Sequence, residues 1–365
     1  MNPLDFKALV SVFFTDPDQV RLERIAKSGA SGPKVVIVSH NGRGERYALK
    51  YGTTRVPIST QLENLAALQP HFGDFLVRVV ESRTGLPRFD SAILMEAYET
   101  TLHDQVMAGD RPEEDCAALW GDVLDQFQAL WRRTQAPFRG SRLLKRDPVT
   151  RLCRVEEALK GFHLPGLGRP LGAHWSSPLL IQGIEYPSLE STFSRLAATY
   201  RPPTVEVICH GDPNADNVLV KGRRWVMGDL EWCGCHDWRL CLSHLAGWWI
   251  ANGAVLRTPP TLADGDGTLH LEYQAEFRSG VPGLVRQAYD MGARFATEVR
   301  EPPDDFGLQL AALVATLLLG DLRFVASRGF DPAYAVYLLG ESIRIAHGGL
   351  SALPCLVGCS PCAAA

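Results

Sequence analysis

A chain of 365 residues, 46% hydrophobic and 21% charged, has ordinary globular composition and enough apolar mass for one large or two moderate domains. Its 37 basic and 41 acidic residues leave a formal net charge of -4, which carries no polyelectrolyte signature and excludes a nucleic-acid or acidic-membrane partner held by bulk charge. A nucleotide, if bound, must be held locally by a few side chains.

The apolar patch Ala8 to Phe14 follows Asp5 and a single Lys7 and precedes no small-residue cleavage site, so it does not read as a signal peptide. Val20 to Ile25 reads as a strand, Ser28 to Pro33 as a turn, and Val35 to Ser39 as a second strand rich in β-branched residues. Asn41-Gly42-Arg43-Gly44 is a hairpin turn by composition, because Asn and Gly tolerate positive φ, and Tyr47 to Tyr51 follows as a third strand. A helix capped by Ser59 or Thr60 runs through Leu68, with Leu62, Leu65, Ala66 and Leu68 on one face. Leu76 to Glu81 and Ala92 to Met95 complete an antiparallel sheet.

Beyond Arg111 the periodicity turns helical: Glu113 to Trp131, Thr150 to Leu159, Leu189 to Tyr200, Leu240 to Ile250, Tyr273 to Val299, Phe306 to Phe324 and Ala333 to Ala346 carry apolar stripes. The longest apolar run, Leu308 to Gly320, has the length of a buried helix and is short for a bilayer span, which predicts a soluble protein. Phe162 to Pro187, with several Gly and Pro and little periodicity, reads as a loop or lid. Nine cysteines scattered through a chain of this size fit a reducing, cytoplasmic compartment, with most thiols serving as small buried groups.

The chemistry concentrates between Val205 and Trp249. An apolar strand, Val205 to Cys209, leads into the polar loop His210-Gly211-Asp212-Pro213-Asn214-Ala215-Asp216-Asn217, and Val218 to Val220 begins another strand. After the turn Lys221 to Arg224, Trp225 to Met227 closes on Asp229-Leu230-Glu231-Trp232. Phosphoryl transfer needs a carboxylate to orient or deprotonate the attacking hydroxyl and oxygen ligands to hold Mg²⁺. Asp212, Asn217 and Asp229 offer that set.

His210-Gly211-Asp212 with four residues to Asn217, followed by Asp229-x-Glu231, resembles the catalytic and metal segments of the aminoglycoside-phosphotransferase and choline-kinase superfamily. The resemblance implies an α+β, protein-kinase-like two-lobed fold, with a small antiparallel sheet lobe carrying one helix over 1–98 and a larger, mainly helical lobe over 99–350, ahead of a tail at 351–365. It implies Asp212 as catalytic base, Asn217 and Asp229 as Mg²⁺ ligands, and ATP or GTP as cosubstrate. Lys50 then answers to the phosphate-binding lysine of the third strand and Glu63 to its helical partner. Ala92 to Tyr98 resembles the adenine-binding hinge, bringing in Glu96 and Ala97, and Ser28 to Pro33 stands where a nucleotide loop runs, with Gly29 and Ser31 as candidate nucleotide-binding residues. That loop lacks a G-x-G-x-x-G pattern, which argues against an ordinary protein kinase. His210, Glu231 and Asp237 are expected to support the loop or touch substrate. Relatives have a second Asp shortly after the one at Asp237; here Cys241 takes that place.

Two thiol groups suggest other metals: Cys233-Gly234-Cys235-His236 with Cys209, His210 and His244 for zinc, and Cys355, Cys359 and Cys362 with iron–sulfur spacing. The first adjoins a loop of hard oxygen donors, and the second lies in a small-residue tail; both are set aside. Trp232, Trp238, Trp248 and Trp249 read as core. The expected activity is transfer of a γ-phosphate to a hydroxyl of a small molecule such as a sugar, amino alcohol or biosynthetic metabolite, with the acceptor pocket shaped by Phe162 to Pro187 and Asp264 to Glu272. A peptide kinase and a non-catalytic nucleotide-binding regulator are the alternatives. No nucleic acid or membrane partner is expected, and the sequence does not speak to oligomeric state.

Overall fold

The computed structural model describes residues 3–25, 34–42, 44–52, 58–86, 90–140, 147–230, 232–325 and 331–352. The chain divides into two compact units, one made of Met1–Asp104 with Asp216–Cys233, the other of Gln105–Ala215 with Gly234–Ala365. The segment 216–233, which carries the last two residues of the polar loop and the strands after it, thus belongs with the N-terminal sheet rather than with the helices.

In the first unit a short helix α1 (Pro3–Val10) precedes strands β1 (Val20–Ile25), β2 (Lys34–His40) and β3 (Glu45–Tyr51). Helix α2 (Ile58–Phe72) leads to β4 (Val79–Leu86) and β5 (Asp90–Glu96). The five strands form an antiparallel sheet in the order β1-β2-β3-β5-β4. Alternation along β2 and β3 feeds both faces. Val36, Val38, Tyr47 and Leu49 pack with Leu9, Val10 and Phe14, so α1 covers one face, while Ile37, Ala48 and Ala97 pack on the other. Strand β4 starts later than its apolar run suggests, because Leu76 is taken up in an isolated parallel bridge to Met227.

The chain continues through β6 (Thr100–Thr101) and α3 (Leu102–Ala108) into α4 (Glu113–Thr134), β7 (Ala136–Pro137) and α5 (Pro148–Lys160). Asp147 caps α5 by accepting from the Thr150 N–H at 2.7 Å, and Pro148 fills the first helical position. Strands β8 (Leu179–Ile181) and β9 (Ile184–Tyr186), helix α6 (Leu189–Thr199) and β10 (Val205–Cys209) follow. The chain then returns to the first unit as the hairpin β11 (Val218–Lys221) and β12 (Arg224–Met227), with β6 alongside β11.

The second unit resumes with β13 (Gly234–Asp237), helix α7 (Trp238–Asn252), the long hairpin β14 (Ala254–Gly265) and β15 (Thr268–Phe277), and helices α8 (Val281–Glu298), α9 (Pro303–Asp321) and α10 (Tyr334–Gly348). Helix α7 is buried on every side and α9 nearly so, as expected of central helices that are apolar all round. The helical stretch Pro303–Phe324 is long and apolar enough to cross a bilayer, yet 78% of its most apolar 18 residues are buried inside the fold. Trp238 stacks on Phe306 with centroids 5.7 Å apart, and Trp120 meets Trp249 edge-on at 5.7 Å. Trp248 is buried too, and Trp232 is half-buried.

One expected helix is corrected. The stripe assigned to Tyr273 to Val299 begins only at Val281; Tyr273 belongs to β15, where Leu269, Leu271 and Tyr273 point inward and His270, Glu272 and Gln274 are more exposed. That alternation has the period of a strand. Nor is Phe162 to Pro187 only a loop, since Leu179, Leu180 and Ile181 pair in parallel with Leu269, His270 and Leu271, giving a sheet ordered β14-β15-β8-β9.

Asp237 ends β13 and caps α7, accepting from the Arg239 N–H at 2.9 Å. Its carboxylate also takes two guanidinium bonds from Arg239, at 3.0 and 2.8 Å, and Arg239 reaches Glu301 and the Arg201 carbonyl. All three charged side chains are almost wholly buried. Burial opposes the Arg239 charge, but the Asp237 and Glu301 carboxylates outweigh it and hold the guanidinium firmly protonated. Burial likewise raises Glu301 above the usual carboxylate range, against the pull of Arg239. Removing one member strands a buried charge. Asp237→Ala is therefore expected to destabilise the fold by about 3 to 5 kcal/mol, read as a lower midpoint in urea unfolding.

Candidate active site

In the first unit, Lys50 lies on β3 between Val35 of β2 and Ile93 of β5 and is 7% exposed. Its ammonium donates to Asp229 Oδ1 at 2.8 Å and to Gln61 Oε1 at 3.1 Å. Two positions separated by 179 residues in sequence thus meet through opposite charges.

Asp229 reaches that point because of the β11–β12 hairpin. Its register sets Val218 opposite Met227, and the next pair outward is joined by the Gly228 N–H donating to the Asn217 carbonyl at 2.8 Å. Asn217 and Asp229 therefore stand beside each other at the open end of the hairpin. A Cβ at Gly228 would lie 3.0 Å from Leu219 Cδ1, so any side chain there would need the Leu219 side chain to give way slightly. Asp229 itself adopts a left-handed backbone with φ of 56°, a conformation that Asp and Asn tolerate better than other non-glycine residues. The amide oxygen of Asn217 and the carboxylate of Asp229 are hard donors of the kind that suit Mg²⁺, and the Lys50 ammonium paired with Asp229 suits phosphate.

Helix α2 supplies a different partner from the one expected. Glu63 is exposed, and Gln61 is the side chain buried against Lys50. Two residues along a helix differ by about 200° in direction, so only one of the pair can face the sheet. From the same helix Asn64 Nδ2 donates to the Leu230 carbonyl at 2.7 Å, securing the segment after Asp229. In the expected hinge, the Glu96 N–H donates to the Arg78 carbonyl at 3.0 Å and the Ala97 N–H to the Arg46 carbonyl at 3.4 Å. The Glu96 carboxylate approaches Lys221 at 3.8 Å. Gly29, Ser31 and Glu231 lie outside the described residues, as do Cys355, Cys359 and Cys362.

A further group missed in the sequence stands next to Asn217. His103 Nδ1, on α3, is 2.9 Å from Asp216 Oδ1, and with Asp104 these residues bring three ligand atoms within 4.8 Å.

In the second unit the loop after β10 holds Asp212. Strand β10 is fixed by β13, with Cys209 opposite Gly234 and Glu206 opposite Asp237, and by Thr134 Oγ1, which accepts from the Ile208 N–H at 3.1 Å. His210 is fully buried, Gly211 turns the chain at φ of 86°, and the Asp212 carbonyl accepts from the Asn214 N–H at 2.9 Å. His210 therefore sits in the interior as part of the loop's base. Burial, and then a bond with Cys241, raise the Cys209 thiol well above its usual value, so this cysteine is a neutral packing group.

Asp212 Oδ1 lies 2.8 Å from Nδ1 of His244, and the His244 Nε2 lies 2.9 Å from a guanidinium nitrogen of Arg151. Burial depresses the Arg151 guanidinium, with Asp321 and Asp212 pulling the other way. The sequence carried a trace of this contact: Ser243-His244 is a polar interruption in the apolar run of α7, and a polar side chain in a buried helix needs a partner.

The Lys50 environment yields a direct test. Gln61→Ala leaves a buried ammonium short of one acceptor and is expected to cost about 1 to 3 kcal/mol, whereas Glu63→Ala on the exposed face should stay within about 0.5 kcal/mol. Paired urea unfolding curves measure both.

No protein-family model matches the sequence, and no curated protein matches it. Solved structures do match. Plasmodium vivax ethanolamine kinase superposes with a TM-score of 0.50 at 10% identity, over 90% of this chain and 83% of that one. A choline/ethanolamine kinase family protein from Mesorhizobium loti gives 0.42 at 14% identity, over 89% and 92% of the two chains. Choline kinase from Cryptosporidium parvum gives 0.45 at 12%, over 89% and 88%. The first of these likenesses identifies the architecture: a mixed α+β, kinase-like fold, with an antiparallel N-terminal sheet followed by a mainly helical part.

Proposed function

We propose that the chain is a nucleotide- and Mg²⁺-dependent phosphotransferase that moves a γ-phosphate to the hydroxyl of a small molecule. The observation that carries this reading is the Lys50–Asp229 ion pair, with Asn217 held across the β11–β12 hairpin from Gly228, the residue before Asp229, so that an ammonium and two oxygen donors lie in one unit. A buried Lys–Asp pair alone is consistent with a structural role. Its coincidence with the His210-Gly211-Asp212 loop five residues upstream of Asn217, in a chain of kinase-like fold, favours phosphoryl transfer.

In this reading Lys50 neutralises the inner phosphates, and Asn217 and Asp229 would hold Mg²⁺, which neutralises charge on the phosphates when bound. The acceptor oxygen attacks the γ-phosphorus as the bond to the leaving nucleoside diphosphate breaks, and the Asp212 carboxylate receives the hydroxyl proton. Positioning and electrostatics provide most of the rate enhancement in such chemistry. Ethanolamine is the first acceptor to try, because one solved structure of the same fold is an ethanolamine kinase. The free nucleotide and a small alcohol are the partners expected.

Thermal unfolding with ATP or GTP tests the nucleotide site without knowledge of the acceptor. Nucleotide at a hundredfold over Kd should add about 2.7 kcal/mol of stability. The rise should require Mg²⁺ and vanish in Asp229→Ala; no rise with either nucleotide at millimolar concentration shifts the reading to a protein that kept the fold without the activity. Where transfer is detected, Asp212→Asn should lower kcat by about 10²-fold to 10⁴-fold with little change in nucleotide KM.

A further inference from the structure

We propose that His244 is the positioning residue of Asp212, and that Arg151 fixes the imidazole in the tautomer that does this. The inference rests on the phosphotransfer reading of Asp212 and extends it to two side chains from separate helices, α7 and α5.

The argument is one of donors and acceptors. A guanidinium has only N–H donors, so at 2.9 Å from Arg151 the His244 Nε2 must accept. A neutral imidazole that accepts at Nε2 carries its proton on Nδ1, and Nδ1 is the atom 2.8 Å from Asp212 Oδ1. His244 therefore donates to the carboxylate. The opposite tautomer would set an N–H against Arg151 and a lone pair against Asp212, losing both bonds. The imidazolium is disfavoured from the α5 side, because Arg151 is already a cation there, and favoured by Asp212 from the loop side. Asp321 and Arg323, at the end of α9, act on Arg151 with opposite signs.

The site is built rather than incidental. His244 is 6% exposed, and it projects from a helix whose N-terminus is locked by the Asp237–Arg239 pair. Two fixed helices thus hold one carboxylate oxygen in place. A carboxylate on a loop turned by a glycine has rotational freedom about its side-chain bonds, and a short bond from a rigid donor removes it. During transfer the acceptor proton passes to Asp212, and the imidazole keeps its own proton throughout; its role is orientation, together with electrostatic support of the charged carboxylate.

The test compares wild type with His244→Leu, His244→Asn, Arg151→Met and Asp212→Asn, measuring ADP release from Mg²⁺-ATP with and without ethanolamine. His244→Leu should lower kcat about tenfold to a hundredfold, while nucleotide KM stays within about twofold. His244→Asn, whose amide N–H falls close to the position of Nδ1–H, should recover most of the loss. A second readout is independent of turnover: long-range ¹⁵N imidazole spectra of histidine-labelled protein, with His244 assigned by its absence in His244→Asn. Neutral His244 protonated at Nδ1, changing in Arg151→Met, is the expected result. An Nε2-protonated or charged His244 overturns the inference. So does wild-type turnover that is abolished in Asp212→Asn and untouched in a folded His244→Leu. No Mg²⁺-dependent rise in unfolding temperature with ATP or GTP overturns the phosphotransfer reading itself, and this role with it; where nucleotide binds but ethanolamine is not phosphorylated, the imidazole spectra decide the inference alone.

Discussion

The guanidinium of Arg239 is the constraint on which the helical unit turns. It binds the residue that ends β13 and caps α7, the Glu301 carboxylate that lies between α8 and α9, and the Arg201 carbonyl that follows α6. Through β13 the same cluster fixes β10, and β10 delivers the Asp212 loop. Such a network adds little net stability compared with apolar packing of the same volume, but loss of any one member leaves a buried charge uncompensated. Geometry at Asp212 is inherited from it, since α7 also carries His244.

The N-terminal sheet was legible because its strands obey local rules. Val35 to Ser39, the Asn41-Gly42 turn and Tyr47 to Tyr51 combine β-branched residues, a turn that accepts positive φ, and inward alternation, and they fold as read. The helices α4 to α7 followed their apolar stripes to within a few residues for the same reason. The polar loop and the Asp229 segment were legible through spacing, which is a property of sequence.

Choices made by tertiary contact were not legible. Gln61 and Glu63 are both plausible on a helix of moderate amphipathicity, and only the direction of α2 against the sheet decides which one meets Lys50. Tyr273 sits between a two-residue alternation and the start of a helical stripe, so a window extending past Val281 reads as one long helix. The pairing of β8 with β15 joins segments some ninety residues apart, and no local pattern announces a parallel partner. The Arg151, His244 and Asp212 contact likewise assembles three separate stretches of chain.

The pairing of β8 with β15 also changes how the region around it can vary. Phe162 to Pro187 and Asp264 to Glu272 would, as separate loops, be free to lengthen or change character independently. Joined at Leu179–Leu269, Leu180–His270 and Ile181–Leu271, they share backbone hydrogen bonds and a buried face. A one-residue insertion in either strand would exchange the inward and outward sides of that strand against its neighbour. Diversification here is confined to the outward residues and to the turn at Asp266-Gly267, so a change in one segment that reshapes the sheet demands a matching change in the other.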